Sequence, residues 1–100
     1  MFSFLDAKAA KEFGAAMARF YIGSIPLNAD LKEKQFTRKS QQVIEKISVQ
    51  ITAHKKSNKL NIYKIAQMGN AFKWELKDAG YEKDFIDKIT QWFVTRVKTE

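Results

Sequence analysis

The sequence predicts an all-α fold, with a single domain over residues 1–100 and four helices. Apolar residues make up 45% of the chain, which contains one proline and four glycines. This composition is too apolar for a disordered chain and too poor in turn residues for an all-β fold. Apolar residues also recur at three- and four-residue intervals in four segments, the spacing of one face of a helix. A chain of 100 residues suits one domain with one core.

The first helix is predicted from Leu5 to Ile22, and much of its circumference is small or apolar. One side carries Ala10, Gly14 and Ala18, and small residues allow a second helix to approach closely. This side either packs on a neighbouring helix of the same chain or forms the contact of a homodimer. The other apolar face consists of Leu5, Ala9, Phe13, Ala16, Met17 and Phe20.

The second helix is predicted from Leu31 to Ser57, after a turn centred on Pro26, and it is the longest element. Proline lacks an amide proton and disfavours helical geometry in the residue before it. In the first half of the helix, Ser40 is the only residue on the inward stripe between its apolar members, so a kink or break is predicted near Thr37. The inward stripe consists of Phe36, Val43, Ile44, Ile47, Ile51 and His54.

The third helix is predicted to be capped by Asn61 and to end within residues 78–81, where Gly80 lies. Glycine readily takes the positive φ that follows many helices. The predicted apolar face of this helix consists of Ile62, Ile65, Ala66, Gly69, Phe72, Leu76 and Ala79. The fourth helix, over residues 82–98, presents a broad face of Phe85, Ile86, Ile89, Trp92, Phe93 and Val97.

The residue types that catalysis requires are sparse. The chain has one histidine and no cysteine, and it contains neither a glycine-rich phosphate loop nor His and carboxylate residues at metal-ligand spacing. Because His54 lies on the inward stripe of the second helix, a place at the edge of the core is favoured. We therefore predict no enzymatic activity, cofactor or metal. The lack of cysteine and of a long apolar run favours a cytoplasmic protein without a transmembrane segment.

A second stripe on the third helix is a candidate protein-binding surface. It consists of Tyr63, Gln67, Asn70 and Trp74, in which two aromatic residues enclose two amides. Tyr and Trp are favoured at protein interfaces, although a helix in the middle of a bundle also buries two faces. Our leading hypothesis is a non-enzymatic domain that binds an unidentified protein partner through this stripe and the small side of the first helix, with self-association into a homodimer as one form.

The outer face of the second helix supports an alternative function. Of the net charge of +7, most lies in residues 30–59, which hold eight Lys or Arg against three acidic residues. Lysines there can contact phosphates, and the accompanying glutamines can donate hydrogen bonds, so binding to nucleic acid would be independent of sequence. An acidic protein, an anionic membrane or plain solvent would suit the same face. The candidate phosphate-binding residues are Lys34, Arg38, Lys39, Lys46, Lys55, Lys56 and Lys59.

Overall fold

The computed structural model describes residues 6–27 and 33–99, and these residues form four helices and no strand. The all-α four-helix fold predicted from the sequence is therefore confirmed. The predicted helix starts at Leu5 and Leu31 lie outside the described residues, and the other predicted ends lie within two residues of the observed ones. The helices are α1 (Lys8–Ser24), α2 (Glu33–Ser57), α3 (Ile62–Asp78) and α4 (Lys83–Lys98).

Helix α3 occupies the centre of the bundle. It packs most extensively on α1 and also on α4, while α2 contacts α4 and α1. The rings of Phe72 in α3 and Phe93 in α4 stack with their centroids 4.2 Å apart and their planes at 3°. Ile47 and Ile51 bring α2 into the same core, where both are buried. α2 runs through Thr37 as one helix, and a bend there stays a prediction.

Small residues of α1 form its contact with α3. Ala10, Gly14 and Ala18 are all buried. A Cβ atom on Gly14 would overlap the carbonyl oxygen of Met68 in α3. Glycine is thus required where the two helix backbones touch, because any side chain would force them apart.

The larger apolar face predicted for α1 is only partly in the core. Phe13 and Met17 pack against the core, but Ala9, Ala16 and Phe20 are exposed. The reason is geometric, because the small face lets α1 approach α3 so closely that this contact, and not the larger side chains, decides how α1 is oriented.

The predicted apolar face of α3 is also wrong at its N-terminal end. Ile62 is 83% exposed, and Ala66 is exposed as well. The buried arc of the helix instead centres on Met68, Phe72 and Leu76, which are almost completely buried. Periodicity shows which residues share a face, but it does not show how far along the helix a neighbour covers that face.

Both predicted ends of α3 are confirmed. The Oδ1 atom of Asn61 accepts a hydrogen bond from the amide of Lys64 at 2.8 Å, which is the geometry of a helix N-cap. At the other end Gly80 has a φ of 92°. The amide of Tyr81 donates to the carbonyl of Leu76 at 3.2 Å, the longer bond of a Schellman motif. The chain therefore reverses tightly between α3 and α4.

The turn after α3 is fixed to the end of α1. The hydroxyl group of Tyr81 donates a hydrogen bond to the backbone carbonyl of Ile25 at 2.9 Å. Tyr81 also stacks on Phe85 of α4, with ring centroids 5.4 Å apart. One tyrosine thus joins α1, the α3–α4 turn and α4 at the same end of the bundle. Within residues 6–27 and 33–99, no helix has the length and apolar character that crossing a bilayer requires.

Candidate interaction surfaces

The small side of α1 is used within the chain. Ala10 is 3% exposed, Ala18 is fully buried, and Gly14 lies against the backbone of α3. A second protein chain cannot reach these residues unless α1 and α3 separate. The sequence allowed this side either to pack on a neighbouring helix of the same chain or to form a homodimer contact. In this fold it packs on a helix of the same chain.

The stripe predicted on α3 is divided between the core and solvent. Tyr63 packs against the core and Gln67 is half-buried, whereas Asn70 is exposed and Trp74 is 50% exposed. The Nζ atom of Lys77 lies 4.7 Å from the centre of the Trp74 ring, so a cation covers part of this indole. Trp74 and Asn70 are accessible to a partner, and the other two residues of the stripe are less so.

The exposed surface of α3 also contains apolar residues that the sequence assigned to the core. Ile62 and Ala66 precede Asn70 and Trp74 at four-residue spacing, and all four are exposed. These residues form a shallow line along the helix. Exposed apolar side chains as large as Ile62 and Trp74 are the usual anchors of protein contacts.

Five of the predicted phosphate-binding residues form one exposed surface, which we call the α2 basic face. Helical geometry places three of them opposite the buried Ile47 and the other two to one side. From first to last they cover about 33 Å at the rise of an α-helix. Within the described part of the chain, none of them forms an ion pair. The α2 basic face consists of Lys34, Arg38, Lys39, Lys46 and Lys56, all of them exposed.

The remaining two candidates lie in different environments. Lys55 is half-buried, and its Nζ atom donates a hydrogen bond to the backbone carbonyl of Thr99 at 2.9 Å. Lys59 is exposed in the connection between α2 and α3. Glu45 is the acidic residue among the charges of the α2 basic face. Lys59 lines grooves that it shares with His54 and Ile65 and not with the α2 basic face, whereas Lys55 supports the contact with the C-terminal end of the chain.

Arg96 of α4 holds α2 in place. Its guanidinium group donates to the Oγ1 atom of Thr52 at 2.9 Å and to the carbonyl of Ser48 at 3.3 Å. This role could not be predicted from the sequence, because residues 44 to 48 positions apart meet only in the folded chain. The α2 basic face is consequently carried by a helix that is attached to the core by both apolar packing and hydrogen bonds.

Val49 interrupts the α2 basic face with an apolar side chain that is 65% exposed. It lies between two open grooves, one towards α1 beside Phe20 and Lys46, and one towards α4 beside Lys56. The predicted inward stripe of the second helix does not include Val49. A single exposed valine is common on protein surfaces and does not by itself mark a site.

His54 lies at the edge of the core, and its imidazole ring stacks on Phe13 with centroids 4.2 Å apart. The side-chain amide of Asn58 donates to the carbonyl oxygen of His54 at 3.0 Å and lies 3.3 Å from the Nδ1 atom. The Nε2 atom of His54 is buried and has no hydrogen-bond partner within the described residues. Burial lowers the pKa of His54. Among residues 6–27 and 33–99, no group of three or more His, Cys, Asp or Glu is arranged to hold a metal ion.

Comparison with known proteins gave no match, whether to a protein-family model, to a curated protein or to a solved structure.

Proposed function

We propose that this protein is a non-enzymatic domain that binds nucleic acid through the α2 basic face, without sequence preference. The observation that supports this proposal is the exposure of five basic side chains on the outer face and one flank of a single helix, with no ion pair among them in the described residues. The small side of α1, on which a protein-partner function partly rested, is buried. The α2 basic face is therefore the candidate surface whose residues are all exposed and share one charge.

The chemistry of the α2 basic face suits a phosphate backbone. Lysine and arginine side chains that neutralise phosphates release counterions, which supplies most of the affinity of non-specific binding. Gln41 and Gln42 are also exposed on α2 and can donate hydrogen bonds to phosphate oxygens. None of the residues of the α2 basic face is aromatic, so stacking on unpaired bases is not provided. Duplex DNA or RNA is thus the expected ligand. The location that the composition favours is the cytoplasm.

Charge reversal tests this proposal. The variant with Arg38→Glu and Lys39→Glu places two acids on the α2 basic face. Its matched control carries Lys73→Glu and Lys88→Glu, which change the net charge equally on exposed positions of α3 and α4. Fluorescence anisotropy of a labelled random-sequence duplex should show affinity about tenfold weaker, or lower still, for the first variant than for the control. Equal weakening in both variants would assign binding to net charge alone, and a wild-type protein that does not bind even at low salt would end the proposal.

A second candidate function is a protein contact through the exposed line on α3. The half-exposed Trp74 and the 83% exposed Ile62 favour it, because large apolar side chains at a surface lose contact with water when a partner covers them. A homodimer is the simplest form of this contact. Light scattering should then show a dimer at high micromolar concentration and a monomer for Trp74→Ser. A wild-type monomer under the same conditions would rule out the homodimer.

A further inference from the structure

A groove of about 300 Å³ lies at the end of the bundle where α1 ends and α4 begins. Aromatic residues from three helices and one turn line it, together with one acidic residue. The aromatic residues are Tyr21, Phe36, Tyr81 and Phe85, and the acidic residue is Glu82. This groove is separate from the α2 basic face, because none of the five residues of that face lines it. Phe36, which the sequence placed on the inward stripe of the second helix, is exposed here.

Three of the four rings form a fixed cluster. Tyr21 is 2% exposed, and its ring centroid lies 5.8 Å from that of Phe85 and 6.3 Å from that of Tyr81. The hydrogen bond from Tyr81 to Ile25 holds the second ring in position. Tyr81 and Phe85 are half-buried, and Phe36 is 41% exposed. A ligand would therefore contact Tyr81, Phe85 and Phe36, whereas the buried ring of Tyr21 serves to hold Tyr81 and Phe85 in position.

The carboxylate of Glu82 is available to this groove. Glu82 occupies the N-cap position of α4 with an extended backbone, but its side chain makes no capping hydrogen bond. It is exposed, and within the described residues it forms no ion pair. A carboxylate at the edge of an aromatic cluster adds a full negative charge to the negative potential of the ring faces.

We propose that this groove binds the quaternary ammonium group of a small organic cation. Such a group needs no hydrogen-bond acceptor, and the hydroxyl group of Tyr81 is already bonded to Ile25. Aromatic faces with a nearby anion are the general means of binding methylated ammonium groups. The volume of the groove is at the lower end of the range for ligand sites and suits a small head group. The net charge of +7 disfavours a polybasic peptide far more than a single small cation.

Titration of the full chain with choline, followed by amide resonances in NMR spectra, tests the proposal. The matched ligand is 3,3-dimethyl-1-butanol, which has the shape of choline without its charge. We expect saturable shifts at residues 21, 81 and 85 with choline, and about tenfold weaker binding of the neutral alcohol. Equal affinities would mean that the groove is merely apolar, and choline shifts that are absent or lie elsewhere would overturn the proposal.

Three variants refine the test. Glu82→Gln should weaken choline binding several-fold, whereas Asp84→Asn should leave it unchanged, since Asp84 carries the same charge in the first turn of α4 but does not line the groove. Phe36→Leu removes an aromatic face from an exposed position, so the fold is retained and choline affinity should fall. Equal effects of Glu82→Gln and Asp84→Asn would contradict the assignment of Glu82 to the site.

Discussion

Gly14 of α1 lies against the backbone carbonyl of Met68 in α3, with no room for a Cβ atom between them. This contact accounts for the orientation of α1, because its small residues face α3 while Ala9, Ala16 and Phe20 remain exposed. It also explains why the small side of α1 is not free to bind a second chain.

Replacing Gly14 with alanine should destabilise the fold. The added Cβ atom would overlap Met68, so the helices must separate, and overpacking of this kind costs about 1–3 kcal/mol of the free energy of unfolding. The control is Gly23→Ala in the same helix, where no atom lies within 4 Å of the new Cβ. Because alanine favours helix more than glycine, this control should gain about 0.5–1 kcal/mol. Urea denaturation followed by circular dichroism measures both, and equal midpoints would contradict the close contact.

The stability of the fold should decrease as the pH falls below the ordinary pKa of histidine. Burial lowers the pKa of His54 below 6.5, so the unfolded chain binds the proton more readily than the folded one. The stability that neutral His54 contributes is fully present above pH 6.5, and it is lost as the pH falls through the pKa of His54 in the folded state. In the folded state, a proton on Nδ1 would also oppose the amide donor of Asn58.

The variant His54→Phe tests this pH dependence, because it keeps an aromatic ring against Phe13 but cannot titrate. Thermal denaturation from about pH 8 to about pH 5 should show a decrease for the wild-type protein that is smaller in the variant. The same slope in both proteins would show that other groups cause the decrease.

Removing the hydroxyl group of Tyr81 should loosen the end of the bundle. Tyr81→Phe leaves the carbonyl of Ile25 without its donor, at a cost of about 0.5–1.5 kcal/mol in the free energy of unfolding. The control is Tyr63→Phe, since the hydroxyl group of Tyr63 has no hydrogen-bond partner that the described residues supply. Chemical denaturation at neutral pH should separate the two variants, and an equal loss in both would contradict the role of this bond.

The stability of the fold should also decrease at alkaline pH, and Tyr81 should contribute to that decrease. Burial and the neighbouring Tyr21 raise the pKa of Tyr81, and burial raises that of Tyr21. In the folded state both tyrosines have a pKa above the ordinary value of 10.0. The stability that they contribute is therefore fully present below pH 10.0, and it is lost as the pH rises through their pKa values in the folded state. We expect a smaller alkaline decrease for Tyr81→Phe than for the wild-type protein, measured by thermal denaturation. An unchanged decrease would assign it to other groups.

Local chemistry made some features predictable from the sequence. The cap at Asn61 and the reversal at Gly80 depend on residues within a few positions, and both are confirmed. The direction in which α1 faces depends on Met68, which is distant in the sequence and gives no periodic signal. The exposure of Ile62 depends similarly on how far neighbouring helices extend.

The candidate surfaces also differ in how far they could be predicted from the sequence. The α2 basic face follows from one helix and its charges, so the sequence was enough to propose it. The contacts of Lys55 and Arg96 could be recognised only in the folded structure, because each of these residues contacts one more than forty positions away. The aromatic groove could not be predicted from the sequence, because α1, α2 and α4 each contribute to it and no spacing in the sequence connects their residues.

The salt dependence of duplex binding tests the α2 basic face most directly. If its five basic residues contact phosphates, the logarithm of the association constant should fall with the logarithm of salt concentration with a slope of roughly −4. The neutral variant Arg38→Gln with Lys39→Gln should reduce the magnitude of that slope by about 2, and Lys73→Gln with Lys88→Gln should leave it unchanged. A slope near zero, or the same slope in both variants, would contradict phosphate binding by this face.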